Sequence, residues 1–106
     1  MVRVEWASPA LADLREIHDF IARDSLRYAQ ATVEKLTDTA ERLARNPQIG
    51  EVLSAFSQKA FSQKAYRQLV VGAYRIIYRE DAHNDRVVVM GVVHAARDLP
   101  PILENR

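Results

Sequence analysis

The chain has no cysteine, which excludes disulfides and thiolate metal centres. Histidine is almost as scarce. His18, His83 and His94 lie far apart and show no ligand spacing such as H-E-x-x-H, so neither a metal nor another cofactor is expected. No stretch approaches the ~18 consecutive apolar residues of a membrane span. The opening MVRVEWASPAL lacks the apolar run of a signal peptide, so the cytoplasm is the expected compartment, with no membrane partner. An excess of one charge is missing too: 15 basic residues face 14 acidic ones, a formal net charge of +1. With 106 residues, 48% of them hydrophobic, the chain suffices for one domain with one modest core, spanning residues 1–106.

The near-neutral total conceals a division. Residues 1–54 carry 7 basic and 9 acidic groups, and residues 55–106 carry 8 and 5. The block 59–79 holds Lys59, Lys64, Arg67, Arg75 and Arg79 and no acid. A local field of that sign attracts anionic partners such as nucleic acid or an acidic peptide, although solvated loop and edge charges give the same pattern.

Hydrophobic spacing gives the order of elements. VRVEW (2–6) alternates and predicts a short strand. Ser8 as N-cap and Pro9 at the first helical position open a helix whose stripe is Leu11, Leu14, Ile17, Phe20 and Ile21. Asp13 and Glu16 suit the positive end of its dipole. Asp24 or Ser25 caps a second helix, with Ala29, Val33, Leu36, Ala40 and Leu43 on one face and Asn46-Pro47 as its stop. The short link between the two predicts a helical hairpin. The tandem AFSQK at 55–59 and 60–64 puts Phe56 and Phe61 on no common face and reads as a lengthened loop.

Strands follow from Arg67. RQLVV, the turn Gly72-Ala73, YRIIYRE (74–80), a polar turn DAHND, and the β-branched run 86–96 end in a Pro-Pro stop at 100–101. Gly91 marks a bulge or a close approach within the last strand. The expected fold is α+β and two-layered, β-α-α-β-β-β, with the helical hairpin on one face of a small, mainly antiparallel four-stranded sheet. Alternation along YRIIYRE sends Tyr74, Ile76 and Tyr78 under the helices and Arg75, Ile77 and Arg79 to the uncovered side.

Four segments, in order, resemble the RelE/ParE toxins of bacterial toxin–antitoxin modules, a group that includes plasmid stabilisation proteins. They are Trp6, Ala10, Asp13, Leu14 and Ile17 leading into FIARDS; AERLARNPQIG at 40–50; YRQLVVGAYRIIYR at 66–79; and VVHAARDLP at 92–100, with Ala96 where a first arginine often stands. The resemblance covers roughly residues 1–100 and implies a small cytoplasmic toxin held inactive by a cognate antitoxin with an acidic C-terminal segment. A toxin dimer or a heterotetramer with the antitoxin is compatible with it. The same resemblance implies Arg67, Arg75, Arg79 and Arg97 as contacts to target or antitoxin.

Two chemistries divide this superfamily. ParE-like members poison DNA gyrase by direct binding; RelE-like members cut mRNA in the ribosome. Metal-free RNA cleavage needs a base for the 2′-hydroxyl proton, cations for the developing phosphorane charge and an acid for the leaving oxygen. Arg67, Arg75 and Arg97 can supply charge, and His94 can serve as acid or base near neutrality. RelE-like members usually carry a tyrosine or a second acid–base group just after the last basic residues, with lysines on the second helix or the loop. Here Arg97 is followed by Asp98, Leu99 and two prolines, and no tyrosine follows Tyr78. Lys35 is the only lysine of the second helix. The leading expectation is therefore a ParE-like gyrase toxin. The alternative is a ribosome-dependent endoribonuclease using Arg75, His94 and Arg97. For His94 a hydrogen-bonded role at the end of a buried strand competes with catalysis. Arg97-Asp98 also reads as a surface ion pair, and Arg75 can pair with Glu80 or Asp81.

Overall fold

The computed structural model of the protein describes residues 1–53 and 66–96. In chain order the elements are β1 (Arg3–Trp6), α1 (Ser8–Ala22), α2 (Leu26–Glu41), a 3-10 turn (Arg42–Ala44), β2 (Glu51–Val52), β3 (Tyr66–Val71), β4 (Tyr74–Asp81), a second 3-10 turn (Ala82–Asn84) and β5 (Arg86–His94). The sheet order is β1-β5-β4-β3-β2; β1 runs parallel to β5 and every other pair is antiparallel. This is the expected two-layer α+β architecture with one strand more than the sequence suggested. The addition is two-residue β2 at the sheet edge, too short to leave a periodic signal. The AFSQK tandem and the Pro-Pro tail lie outside the described residues.

Both helices pack on one face of the sheet. Ala10 and Leu14 of α1 and Leu36 and Ala40 of α2 join Leu43, Ile76, Tyr78, Val87 and Val89 in one buried cluster. Each large aliphatic side chain fully withdrawn from water contributes about 1.5–3 kcal/mol, so this layer dominates the stability. The stripe of α2 is as expected, and Ser25 caps that helix by accepting the Tyr28 N–H at 3.1 Å. In α1 the cap is Ala7, with no side-chain cap, and Ser8 is already helical. Tertiary contacts decide this: the Ala7 N–H donates to Val89 O, while the Ala7 carbonyl accepts from Ala10 and Leu11. The inward line of α1 runs through Ala10, Leu14 and Ile17, which leaves Leu11 and Phe20 exposed at 54% and 67%. No acid lies in the first turn of α1, and the role assigned to Asp13 there changes. Its Oδ2 accepts the Val92 N–H at 2.9 Å and ties α1 to the sheet.

That tie sits beside an irregularity. Ile77 pairs with Gly91 and Tyr78 with Val89, so Met90 is the extra residue of a β-bulge next to the glycine. The other turns follow their residue types. Gly72 takes φ +59° in the two-residue hairpin between β3 and β4, and Asp85 adopts the left-handed region at φ 52° after the 82–84 turn.

The sheet's second face is not bare, contrary to the expectation. Ile77 and Val93 are 0% and 4% exposed and form a smaller cluster with Leu53 and Tyr66, and Val88 is also buried. Toward one end of this face Arg86 bridges β4 and β1, donating to Asp81 Oδ2 at 2.7 Å and to Glu5 Oε2. Arg3 stands 3.8 Å from Glu5 on the same side.

Two expected outcomes follow from this packing. A Cβ on Gly50 would lie 2.6 Å from both Gln68 O and Tyr78 Oη, and the first of these is backbone that cannot yield. Gly50→Ala should cost about 1–3 kcal/mol. A thermal melt would show it as a fall of roughly 4–8 °C per kcal/mol. Hydrogen bonds from Asn84 and then from Arg86 lower the Asp81 pKa to about 2. A depressed carboxylate pKa gives stability that is present above the unfolded value of 3.8 and is lost as pH falls toward 2. Urea midpoints measured between pH 5 and pH 2 should therefore fall less steeply for Asp81→Asn than for the parent chain.

Candidate functional site

Strand β4 distributes the residues that carry the question of function. Tyr74, Ile76 and Tyr78 face the helices. Arg75, Ile77 and Arg79 face the other way, as alternation predicts. Cross-strand pairing extends the second face to Val70 opposite Arg75, Gln68 opposite Ile77, and Tyr66 opposite Arg79. Arg75 Nη1 donates to Gln68 Oε1 at 3.2 Å, and Gln68 Nε2 donates to Glu51 Oε2 at 3.3 Å. The side chain thus lies along the sheet, oriented by an amide that a carboxylate orients in turn. It does not pair with Glu80 or Asp81, and Asp81 is engaged by Arg86 and Asn84. Arg79 makes no hydrogen bond or ion pair among the described residues.

Arg67 is elsewhere. It pairs with Tyr78 across β3 and β4 and so projects on the helix side of the sheet. Its Nη1 donates to Gly50 O at 2.8 Å and to Gln48 O at 3.3 Å. Tyr78 Oη completes the arrangement by accepting the Gly50 N–H at 2.7 Å. Burial raises the Tyr78 pKa above its ordinary 10.0 despite that hydrogen bond, so the phenol stays neutral and acts as an acceptor. Gly50, Arg67 and Tyr78 therefore form a structural clasp. The sequence contained its signal: with a two-residue turn at 72–73, Val71 must oppose Tyr74, which places Arg67 opposite Tyr78 and on the reverse side from Arg75.

His94 ends β5 opposite Tyr74, also on the helix side. Its ring meets Tyr74 edge-on, with centroids 5.7 Å apart, and Nδ1 accepts the Ala96 N–H at 3.2 Å. The residue is itself exposed at the end of the buried β5 strand. It borders a groove of about 590 Å³ between α1 and the adjoining ends of β4 and β5. Among the described residues, Arg75 and Arg79 share one face, Arg67 and His94 lie on the other, and Arg97 is outside the description. No group of three potential metal ligands occurs among the described residues. Nor does any described helix have the length and apolarity to cross a membrane.

Sequence reasoning missed Gln68 and the contact of Asp13 with the sheet. Gln68 has no charge or motif to mark it, and the partner of Asp13 is 79 residues away in the chain.

Known proteins bear on this geometry. The fold is shared with the toxin–antitoxin structure "Chromosomal ParDE TA system from P. aeruginosa" at TM-score 0.67 and 17% identity, covering 89% of this chain and 96% of that one. It is shared with the RelBE2 toxin–antitoxin complex from Mycobacterium tuberculosis at 0.58 and 23%, covering 88% and 96%. Isolated E. coli RelE gives 0.59 and 17%, covering 99% and 95%. No curated protein matches the chain in sequence. A family model described as "ParE toxin of type II toxin-antitoxin system, parDE" matches residues 4–99. With nearly the whole length matched, the chain belongs to the ParE toxin family of type II toxin–antitoxin systems.

Proposed function

We propose that this toxin acts in the cytoplasm by binding DNA gyrase directly and has no catalytic step of its own. A cognate antitoxin neutralises it by laying an acidic segment across the Arg75–Arg79 face. The observation that supports this reading is the separation of the candidate nuclease residues. Acid–base cleavage of RNA needs a proton-transfer group and cations converging on one phosphate. Here Arg67 clasps the Gly50 carbonyl, Arg75 projects from the opposite face, and His94 lies beside Tyr74 on the helix side. What remains on one face, the Arg75 and Arg79 pair with half-buried Tyr66 and Gln68, suits recognition of an acidic protein surface. Arginine forks and aromatic rings supply most of the energy at such contacts.

The antitoxin half rests on the same surface. A segment that folds on binding can pass over exposed Val70 of β3 and set carboxylates against both guanidinium groups. Charge assists encounter as well as affinity, so toxin–antitoxin association should slow as salt rises.

Purified toxin should inhibit supercoiling of relaxed plasmid by gyrase, and stoichiometric antitoxin should restore it. Arg75→Ala should weaken inhibition roughly tenfold, about 1.4 kcal/mol. Unaffected gyrase at excess toxin, together with codon-linked cuts in translated mRNA by primer extension, would transfer the assignment to ribosome-dependent cleavage.

A further inference from the structure

We propose that the groove between α1 and the ends of β4 and β5 is a second docking site, one that receives a peptide segment of a partner protein in which an aliphatic or aromatic anchor is flanked by lysine or arginine. Ile17, Tyr74 and Val92 supply its inner surface, and all three belong to or pack against the main core. Glu16, Asp19 and Phe20 stand exposed at its border. The volume, about 590 Å³, lies within the ~300–1,000 Å³ typical of ligand pockets and holds several side chains.

Two features determine the occupant. Phe20 keeps 67% of its surface in water although it belongs to the groove. Covering a side chain of this size yields about 1.5–3 kcal/mol, which makes it the natural apolar contact for an incoming anchor. The described lining also carries three carboxylates, Asp13, Glu16 and Asp19, against one guanidinium, Arg23. Arg23 is stacked 5.8 Å from the Phe20 ring, Asp13 is held by the Val92 N–H, and Asp19 contacts His18 Nδ1 at 3.2 Å. Glu16 makes no hydrogen bond or ion pair among the described residues and is available to a partner cation. An acidic peptide would meet this border with like charge, and a basic one with attraction.

The sign is opposite to that of the Arg75–Arg79 face, on the other side of the sheet. A single partner that reaches both surfaces must therefore carry basic residues at one end of its segment and acidic residues at the other. The groove assignment depends on neither gyrase nor any particular antitoxin, because it concerns the chemistry of this surface alone.

Selection of a displayed random heptapeptide library on the full-length toxin tests it, with a Phe20→Ala/Glu16→Lys variant as the counter-target. Enriched sequences should combine a large apolar residue with flanking lysine or arginine. A synthetic consensus peptide should bind at least tenfold more weakly to Phe20→Ala by fluorescence anisotropy. Glu16→Lys should weaken it several-fold, with the difference shrinking at high salt. Because both side chains are exposed, the variants should melt with the parent, which separates lost binding from lost folding. An acidic or neutral consensus, binding indifferent to both substitutions, or no enrichment would overturn the proposal. Gyrase that proves insensitive to the toxin would leave it standing.

Discussion

The backbone of Gly50 is held from two sides. Tyr78 accepts its N–H at 2.7 Å and Arg67 donates to its carbonyl at 2.8 Å. Both contacts need the chain to pass so close to the sheet that a Cβ would collide with Gln68 O and the Tyr78 ring. The clasp secures the exit of the helical layer onto β2 and β3. It also has an electrostatic effect. It occupies Arg67, which strand parity places on the helix side, with backbone carbonyls, while Arg75 and Arg79 are the cations that β4 presents to the opposite side.

That sidedness organises the second face. Glu51, Gln68 and Arg75 form a line of hydrogen bonds across β2, β3 and β4. Asp81, Arg86 and Glu5 form another across β4, β5 and β1, which Arg3 extends as an ion pair 3.8 Å from Glu5. The second line links the two strands that enter the sheet last and first, so its charges are compensated within the protein. Between the lines lie Arg79 and the buried pair Ile77 and Val93. Near Asp81 the face presents a closed network, and near Arg75 and Arg79 it presents the two guanidinium groups of β4.

Much of this was legible in the sequence, for identifiable reasons. Period-two alternation in YRIIYRE and the long β-branched run placed β4 and β5 correctly, because side-chain direction in a strand depends only on parity. The Ser25 cap and the stripe of α2 were legible because capping and helical spacing are local. What escaped was decided at long range. The Ala7 cap depends on a hydrogen bond to Val89, and Asp13 found Val92 instead of the helix dipole. Leu11 and Phe20 fitted a hydrophobic stripe, yet the line that contacts the sheet runs through a small residue, Ala10, that hydropathy undervalues. The basic block was counted as one patch because a sum of charges is blind to parity, and parity separates Arg67 from Arg75 and Arg79. The cover over Ile77 and Val93 had no signal in the alternation, which distinguishes two faces without saying that both are buried.

The two remaining arginines are not equivalent, and the difference bears on how partners would compete for this face. Arg75 is half-buried and oriented by Gln68, so less rotamer entropy is lost when it meets a carboxylate. A preorganised, partly desolvated guanidinium contributes mainly to residence time. Arg79 makes no hydrogen bond or ion pair among the described residues, and its charge acts chiefly through the field that draws an acidic partner in. Any partner that is to hold this face must satisfy the Arg75 geometry; any partner that is to arrive quickly benefits from Arg79. If target and antitoxin both use the face, they exclude each other by occupancy, and the one that satisfies Arg75 better outlasts the other. Control then requires no conformational change in the toxin, only a competitor with a longer residence time on a surface whose orientation is set by the parity of β4.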